Sequence, residues 1–556
     1  TGCVSNSNPQ YHFGNRNKPS DWRIANGSPG DGIGTTTGAP ATDIAGQARG
    51  GSIDAGCWNS AAPPVKDYFW DISTSPGIQA GSGTWGTNNY WTIDGTTLVS
   101  WPGSGYSAIF GGNDGNYTIT VNGTQYVDSI TFLRSGYYLT GGTIDLGSKN
   151  GIYVESGERG EINSVIAGTA GIKLYGTGEL HLSGNNTFTG ASVIYEGKPK
   201  LIHPNALGAT SGATTINTGA CIQLSGNTTF AAERLYINGF GTGTGVVRTG
   251  IDGINDNAVW QGRITLQGNS SFGASEANDQ ITITGVVEGA FQLTKAGPGT
   301  ITLSGTNTFS GGLTVEEGIL RSGNSQALGN YGNAITIANG AAIDVNGFDL
   351  RGYTQSIVIN GQRNGSNGAL INSGGEQINA IRKISLGSNA SIGSNGNRFD
   401  IGRGYSGSVG ITGNNYILTK VGSNYMALLA DADGLAGVVV NSGTLSLEAD
   451  AAAGNAPITI NNGAILASYE NRTFSNNISI NDGGTLHSSL YNAYTTVHNG
   501  SITLTGNTNI GNPVASTMII SGAIGGTGNV NFTGATGTVI LANNNNYSGG
   551  TTISSG

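Results

Sequence analysis

Apolar and polar residues alternate along most of this chain. Tyr117-Thr118-Ile119-Thr120-Val121 alternates and closes at Asn122-Gly123. Ser129-Ile130-Thr131-Phe132-Leu133, Gly142-Thr143-Ile144-Asp145-Leu146, Ile335-Thr336-Ile337-Ala338, Ile458-Thr459-Ile460-Asn461 and Ser501-Ile502-Thr503-Leu504 follow the same scheme. A period of two sends successive side chains to opposite faces, and Gly or Asn-Gly supplies the positive φ of a tight turn. Each run therefore predicts a short, half-buried strand. No amphipathic helix is predicted. Val286–Ala296 comes nearest, and its glycines argue against it.

A longer phrase recurs above this alternation. Gly299–Val315 reads GTITLSGTNTFSGGLTV, Gly178–Ile194 reads GELHLSGNNTFTGASVI, and Gly537–Ile553 reads GTVILANNNNYSGGTTI. Met426–Val440 is a worn fourth copy. Each copy joins two short strands through an Asn/Thr-aromatic-Ser/Thr-Gly turn, with Asn186, Asn307 and Asn545 at the equivalent turn position. The copies stand 121 residues apart (Thr187 to Thr308), then 126 (to Gly434), then 112 (to Asn546). A phrase returning at near-constant intervals of about 120 residues, each long enough for several strand–turn coils, signals a solenoid. No Trp-Asp or Gly-His signature recurs at the ~40–45 residues of a propeller blade. The expected fold is all-β: a right-handed parallel β-helix with an irregular N-terminal cap. Residues 1–68 are read as the cap and assembly segment, 69–116 as aromatic-rich first coils, and 117–556 as about four repeat units.

Composition narrows the setting. The chain holds 96 Gly among 556 residues, and only 10% of it is charged, against about 25% for ordinary globular domains. Its surface must be wetted by Asn, Thr, Ser and Gly. Glycine has no strict period of three, which excludes collagen. A net charge of −9 without a basic run argues against nucleic acid and anionic membranes. No apolar run approaches the roughly 18 residues of a membrane-spanning helix. The opening TGCVSNSNPQ is not a signal peptide, and would fit a chain from which one was cleaved. Cys3 and Cys57 flank a glycine- and proline-rich stretch. They are expected to pair, closing a long loop for about 4 kcal/mol; the alternative is two separate buried thiols. A bridge fits an extracellular setting.

The repeated phrase resembles the passenger-associated, autotransporter-associated β-strand repeat. The fullest copy runs Leu293-Thr294-Lys295-Ala296-Gly297-Pro298-Gly299-Thr300-Ile301-Thr302-Leu303-Ser304-Gly305, then Asn307-Thr308-Phe309-Ser310-Gly311-Gly312, and closes with Ala327-Leu328-Gly329. The first copy keeps Ala206-Leu207-Gly208, and the third keeps Leu418-Thr419-Lys420-Val421-Gly422 and Gly443-Thr444-Leu445. Phe69-Trp70-Asp71, Thr84-Trp85, Asp94-Gly95 and Trp101-Pro102 resemble the start of large proteins carrying these units. The resemblance implies an exported, surface-displayed passenger with roles in adhesion, surface coating or matrix formation, and no shared catalytic residues. The membrane β-barrel signature of several ~10-residue strands with aromatic girdles is not recognised, and the chain stops inside a repeat at Ser554-Ser555-Gly556. It reads as processed, truncated or exported by another route.

Chemistry is sparse, and no catalytic, cofactor or metal residue is assigned. His12, His181, His203, His487 and His498 are scattered without zinc spacing. Glu316-Glu317, Asp431/Asp433 and Glu448/Asp450 are the acid-rich places. Asp431 and Asp433, two apart, would share a strand face, although a solvated turn is the plainer reading. Gly111–Asn116 and Asp252–Asn257 lack the twelve-residue Ca²⁺ pattern. Strand parity places Ile222 and Leu224 inward, and Cys221 and Gln223 outward. Six of the seven Trp lie before residue 102. They are expected to pack the first coils, with Trp85, Trp91 and Trp101 as the alternative sugar-stacking platform. The leading functional expectation is a non-enzymatic structural subunit of a surface fibre, sheath or matrix, self-associating head-to-tail. The alternative is an adhesin or carbohydrate-binding passenger that contacts glycans or a cell surface. A polysaccharide-degrading enzyme comes third.

Overall fold

A computed structural model describes residues 66–556 except 242, 244, 250–254, 364–366, 405–407, 535 and 556. The Cys3–Cys57 pairing and almost all of the cap lie outside the described residues. These form two compact units, residues 66–224 with Glu233–Leu235, and Ser225–Ala232 with residues 236–556. Each is a parallel β-solenoid, and no helix occurs among the described residues. The region mistakable for a helix forms strands Val287–Glu288 and Leu293–Ala296.

The alternation works as the sequence suggests, because each inward residue sits on an inward residue of the coil before. In the first unit one ladder climbs Ile119, Leu139, Ile162, Leu182, Leu201 and Leu224. In the second, Leu293, Leu313, Ile335, Ile357, Ile384 and Ile411 form another. Met426, Leu445, Leu466, Leu486 and Ile510 form a third. All are buried, each contributing about 1.5–3 kcal/mol relative to exposure. Parallel strands one coil apart pair their backbone groups continuously, so only a terminal coil leaves a row unpaired. Antiparallel pairing among the described residues is confined to the start, where Trp91–Thr92 joins Lys66–Trp70 and Trp91 bridges Val99.

The aromatic block packs those first coils. Trp70, Trp85 and Trp91 are fully buried around Phe110, with ring centroids 5.1–6.4 Å apart. Trp70 Nε1 donates to the Gly81 carbonyl at 2.8 Å.

Parity fails at Cys221 and Gln223, which are both buried. Every position from Ala220 to Leu224 is covered, as is every position of the equivalent run Ala341 to Val345. Asp344 shows why. Its outer side accepts hydrogen bonds from Ser373 of the following coil and from Arg321 of the coil before. Alternation predicts exposure only where nothing lies over the outer face.

One ladder contains a histidine. His498 stands between Phe474 and Ile520, stacked on the Phe474 ring at 5.6 Å. Neither ring nitrogen has a hydrogen-bond partner, and burial pushes its pKa down to about 4 from 6.5. The folded value lies below the unfolded one, so this contribution is complete above pH 6.5 and is lost as pH falls toward 4. The cost of acidification is about 3 kcal/mol. Amide exchange, corrected for intrinsic rate, is expected to accelerate around Val497 and Ile519 on acidification through this window. His498→Phe should abolish that acceleration. Equal acid sensitivity in wild type and variant would show that His498 is not its source.

Candidate functional site

The three turn asparagines do one mechanical job. Asn186 Oδ1 accepts from Ile166 N–H at 2.8 Å, and its Nδ2 donates to the Ala206 carbonyl at 2.7 Å. Asn307 repeats this with Val287 N–H at 2.8 Å and the Ala327 carbonyl at 2.6 Å. Asn545 accepts from Ile524 N–H at 2.8 Å. Asn186 and Asn307 are 2% and 0% exposed, and each partner lies 20 residues away. The side-chain amide thus stands in for a backbone amide at a corner where the strand ladder is interrupted. The Asn amide carries both an acceptor for the coil below and a donor for the coil above.

The rest of the phrase follows from this geometry. The aromatic two residues on, Phe188 or Phe309, enters the core. The Ala-Leu-Gly of the next coil supplies the accepting carbonyl. It also supplies a glycine, Gly208 (φ +85°) or Gly329 (φ +87°), against that ring. A Cβ there would come within 2.7 Å of the ring and demand a left-handed backbone. In the worn copy the slot of Asn307 falls to Asp433, which is exposed. Asp431–Asp433 forms a strand with Ala432 inward, so its carboxylates share an outer face rather than forming the expected turn.

Sequence reasoning missed a second corner device. Lys295 is buried, and its Nζ donates to the carbonyls of Ala296 (3.1 Å), Gly297 and, on the next coil, Glu317 (2.9 Å). Lys420 does the same with Val421, Gly422 and Ser442 at 2.9–3.1 Å. Burial pushes both ammonium groups down to about 7, while three carbonyls per head supply the acceptors that water would have given. The signal was present in the shared Leu-Thr-Lys triplets, each with Gly two residues beyond.

The tryptophan platform is corrected by the structure. Trp85 and Trp91 are 0% exposed and offer no ring face to a sugar. They were needed as core where short strands carry few aliphatics. Trp101 is half-buried and donates from Nε1 to the Tyr126 carbonyl at 2.9 Å. The nearest arrangement to a catalytic constellation surrounds Arg398. It grips Asp400 through two bonds of 2.9 and 2.7 Å, lies 4.5 Å above the Tyr425 ring, and approaches Glu448 at 3.8 Å. Tyr425 donates to Glu448 at 3.1 Å. Burial raises the Asp400 carboxyl to about 6 against the opposing pull of Arg398. Asp400 and Glu448 are 0% and 7% exposed, so these groups are spent on one another. No three His, Cys, Asp or Glu side chains converge as a metal would require among the described residues.

Asn307→Ala should strand the buried Val287 N–H and Ala327 carbonyl. The expected local destabilisation is about 3 kcal/mol, read as faster exchange of the Val287 amide with distant coils unchanged. Unchanged protection of that amide would show that the side chain is dispensable.

The Passenger-associated-transport-repeat family matches residues 175–198, 293–321 and 533–556. The first two segments contain Asn186 and Asn307, and the third contains Asn545. The chain is also similar to the Adhesin BmaC autotransporter of Brucella suis biovar 1 (strain 1330). They are 29% identical over 535 residues, covering 88% of this chain and 14% of that relative. No solved structure matches. The chain thus carries passenger-associated transport repeats and is similar over most of its length to part of an autotransporter, which indicates an exported, cell-surface protein.

Proposed function

We propose that this passenger is an adhesive surface protein that acts by binding and not by catalysis. The observation that carries the reading is the similarity to a protein named as an adhesin, which extends over 88% of this chain. That relative's printed role is adhesion, so the adhesive reading takes precedence over the fibre subunit expected from sequence. The fold supports it. Corners bridged by Asn and Lys and a core packed by aliphatic ladders hold the coils from within, which leaves the outer faces free to carry contact groups. Several aromatic rings stand on those faces, among them Tyr126 (53% exposed), Tyr491 (58%), and Tyr195 stacked on Tyr175 at 4.8 Å. Exposed aromatics are efficient anchors, because they bury much area at small conformational cost.

Beads coated with the purified chain are expected to attach to epithelial monolayers under flow, and soluble chain should compete. Attachment no greater than that of beads coated with the heat-unfolded chain would overturn the adhesive reading.

A further inference from the structure

We propose that an arginine ladder on the second unit, formed by Arg351, Arg382 and Arg403 beside Tyr331, binds an anionic polysaccharide. The inference rests on the adhesive reading and names the contact chemistry.

Backbone pairing stacks these residues on successive coils. Thr354 N–H bonds the Tyr331 carbonyl, Leu350 N–H bonds the Ala380 carbonyl, and Gly402 N–H bonds the Ile381 carbonyl, each at 2.9 Å. Four coils therefore present Tyr331, Arg351, Arg382 and Arg403 in turn. With about 4.8 Å between paired strands, the arginines span about 10 Å. They open onto a cavity of about 450 Å³, lined also by Ser325 and Asp349. Three guanidinium groups face one carboxylate there, a formal +2 (three Arg less one Asp) on a chain of net −9 with only 24 Lys+Arg in 556 residues. Asp349 is already engaged, bound by Arg351 through Nε (3.1 Å) and Nη2 (2.8 Å). Arg403 is braced by its Nε on the Ile378 carbonyl at 3.0 Å.

Like charges on adjacent coils repel, and an anion laid along them relieves that repulsion. Guanidinium forks match carboxylates and sulfate esters in geometry. A lone anion meets one rung, whereas a polymer carrying a charge on each unit meets all three. Tyr331 supplies the flat face that a sugar ring stacks on. It is 38% exposed, and its other side is held by Gly352 and by an edge contact with Tyr353 at 5.3 Å.

Titration calorimetry on the full chain at low salt tests this with tetragalacturonate, a heparin tetrasaccharide, neutral cellotetraose and a thymidine oligonucleotide. The acidic sugars should bind and cellotetraose should not. The preferred acidic probe tells carboxylate from sulfate. The double substitution R382Q/R403Q should weaken binding by about tenfold or more, with an unchanged melting profile. Asp349→Asn, which releases the Arg351 guanidinium, should strengthen it, and misfolding does not produce such a gain. Equal binding of cellotetraose, tighter binding of the oligonucleotide, or variants indistinguishable from wild type would overturn the site. Bead attachment that persists alongside those negative results would leave the adhesive reading standing. Loss of attachment in an intact chain that still binds acidic sugars would sink that reading and spare the site.

Discussion

A single coil of a parallel solenoid has no independent stability. Its strands are three to five residues long for the most part, and their backbone groups are paired only by the coils on either side. The constraint is continuity: wherever the chain turns a corner and the ladder lapses, some other group must bond both neighbours. Asn186 and Asn307 meet it with one amide each. Lys295 and Lys420 meet it with an ammonium head that gathers three carbonyls. These devices are internal, they recur with the repeat, and they explain why its polar letters are as informative as its apolar ones.

Much of this was legible because it is periodic. Alternation with period two marked many of the strands, and glycines argued against a helix at Val286–Ala296, where Val287–Glu288 and Leu293–Ala296 are strands. The asparagines were legible as a repeated position but not as bridges, because their partners sit 20 residues to either side and carry no mark of the pairing. Exposure was less legible. Cys221 and Gln223 depend on what the adjoining coil lays over them, and parity within one strand carries no such information, whereas the tryptophans were expected to pack the first coils and Trp70, Trp85 and Trp91 do so. The arginine ladder was invisible for a related reason. Arg351, Arg382 and Arg403 are separated by 31 and then 21 residues, so coils of unequal length hide a spatial period of one.

The same logic separates what the scaffold needs from what it leaves open. A buried imidazole at His498, buried lysines at 295 and 420, and the Arg398–Asp400 pair are all enclosed by protein and serve its own packing. Ionisable groups enclosed in this way have little left to offer a substrate. The outer faces carry neither the aliphatic ladders nor the buried corner bridges, so substitutions there cost the scaffold little. A surface protein built on such coils changes its contacts without renegotiating its core.

Low charge gives the remaining charges their weight. On a surface dense in Lys and Glu, a cluster of three arginines would be partly neutralised by neighbours within the roughly 8–10 Å over which charges act in physiological salt. Here one residue in ten is charged, and several of those already stand in close pairs, such as Arg321 with Asp344 and Arg472 with Glu470. The uncharged Asn, Thr and Ser that wet the rest of the surface do not screen a nearby guanidinium. A polymer that brings its own regular charge therefore finds Arg351, Arg382 and Arg403 against a quiet background, where a short cationic strip discriminates by spacing as well as by sign.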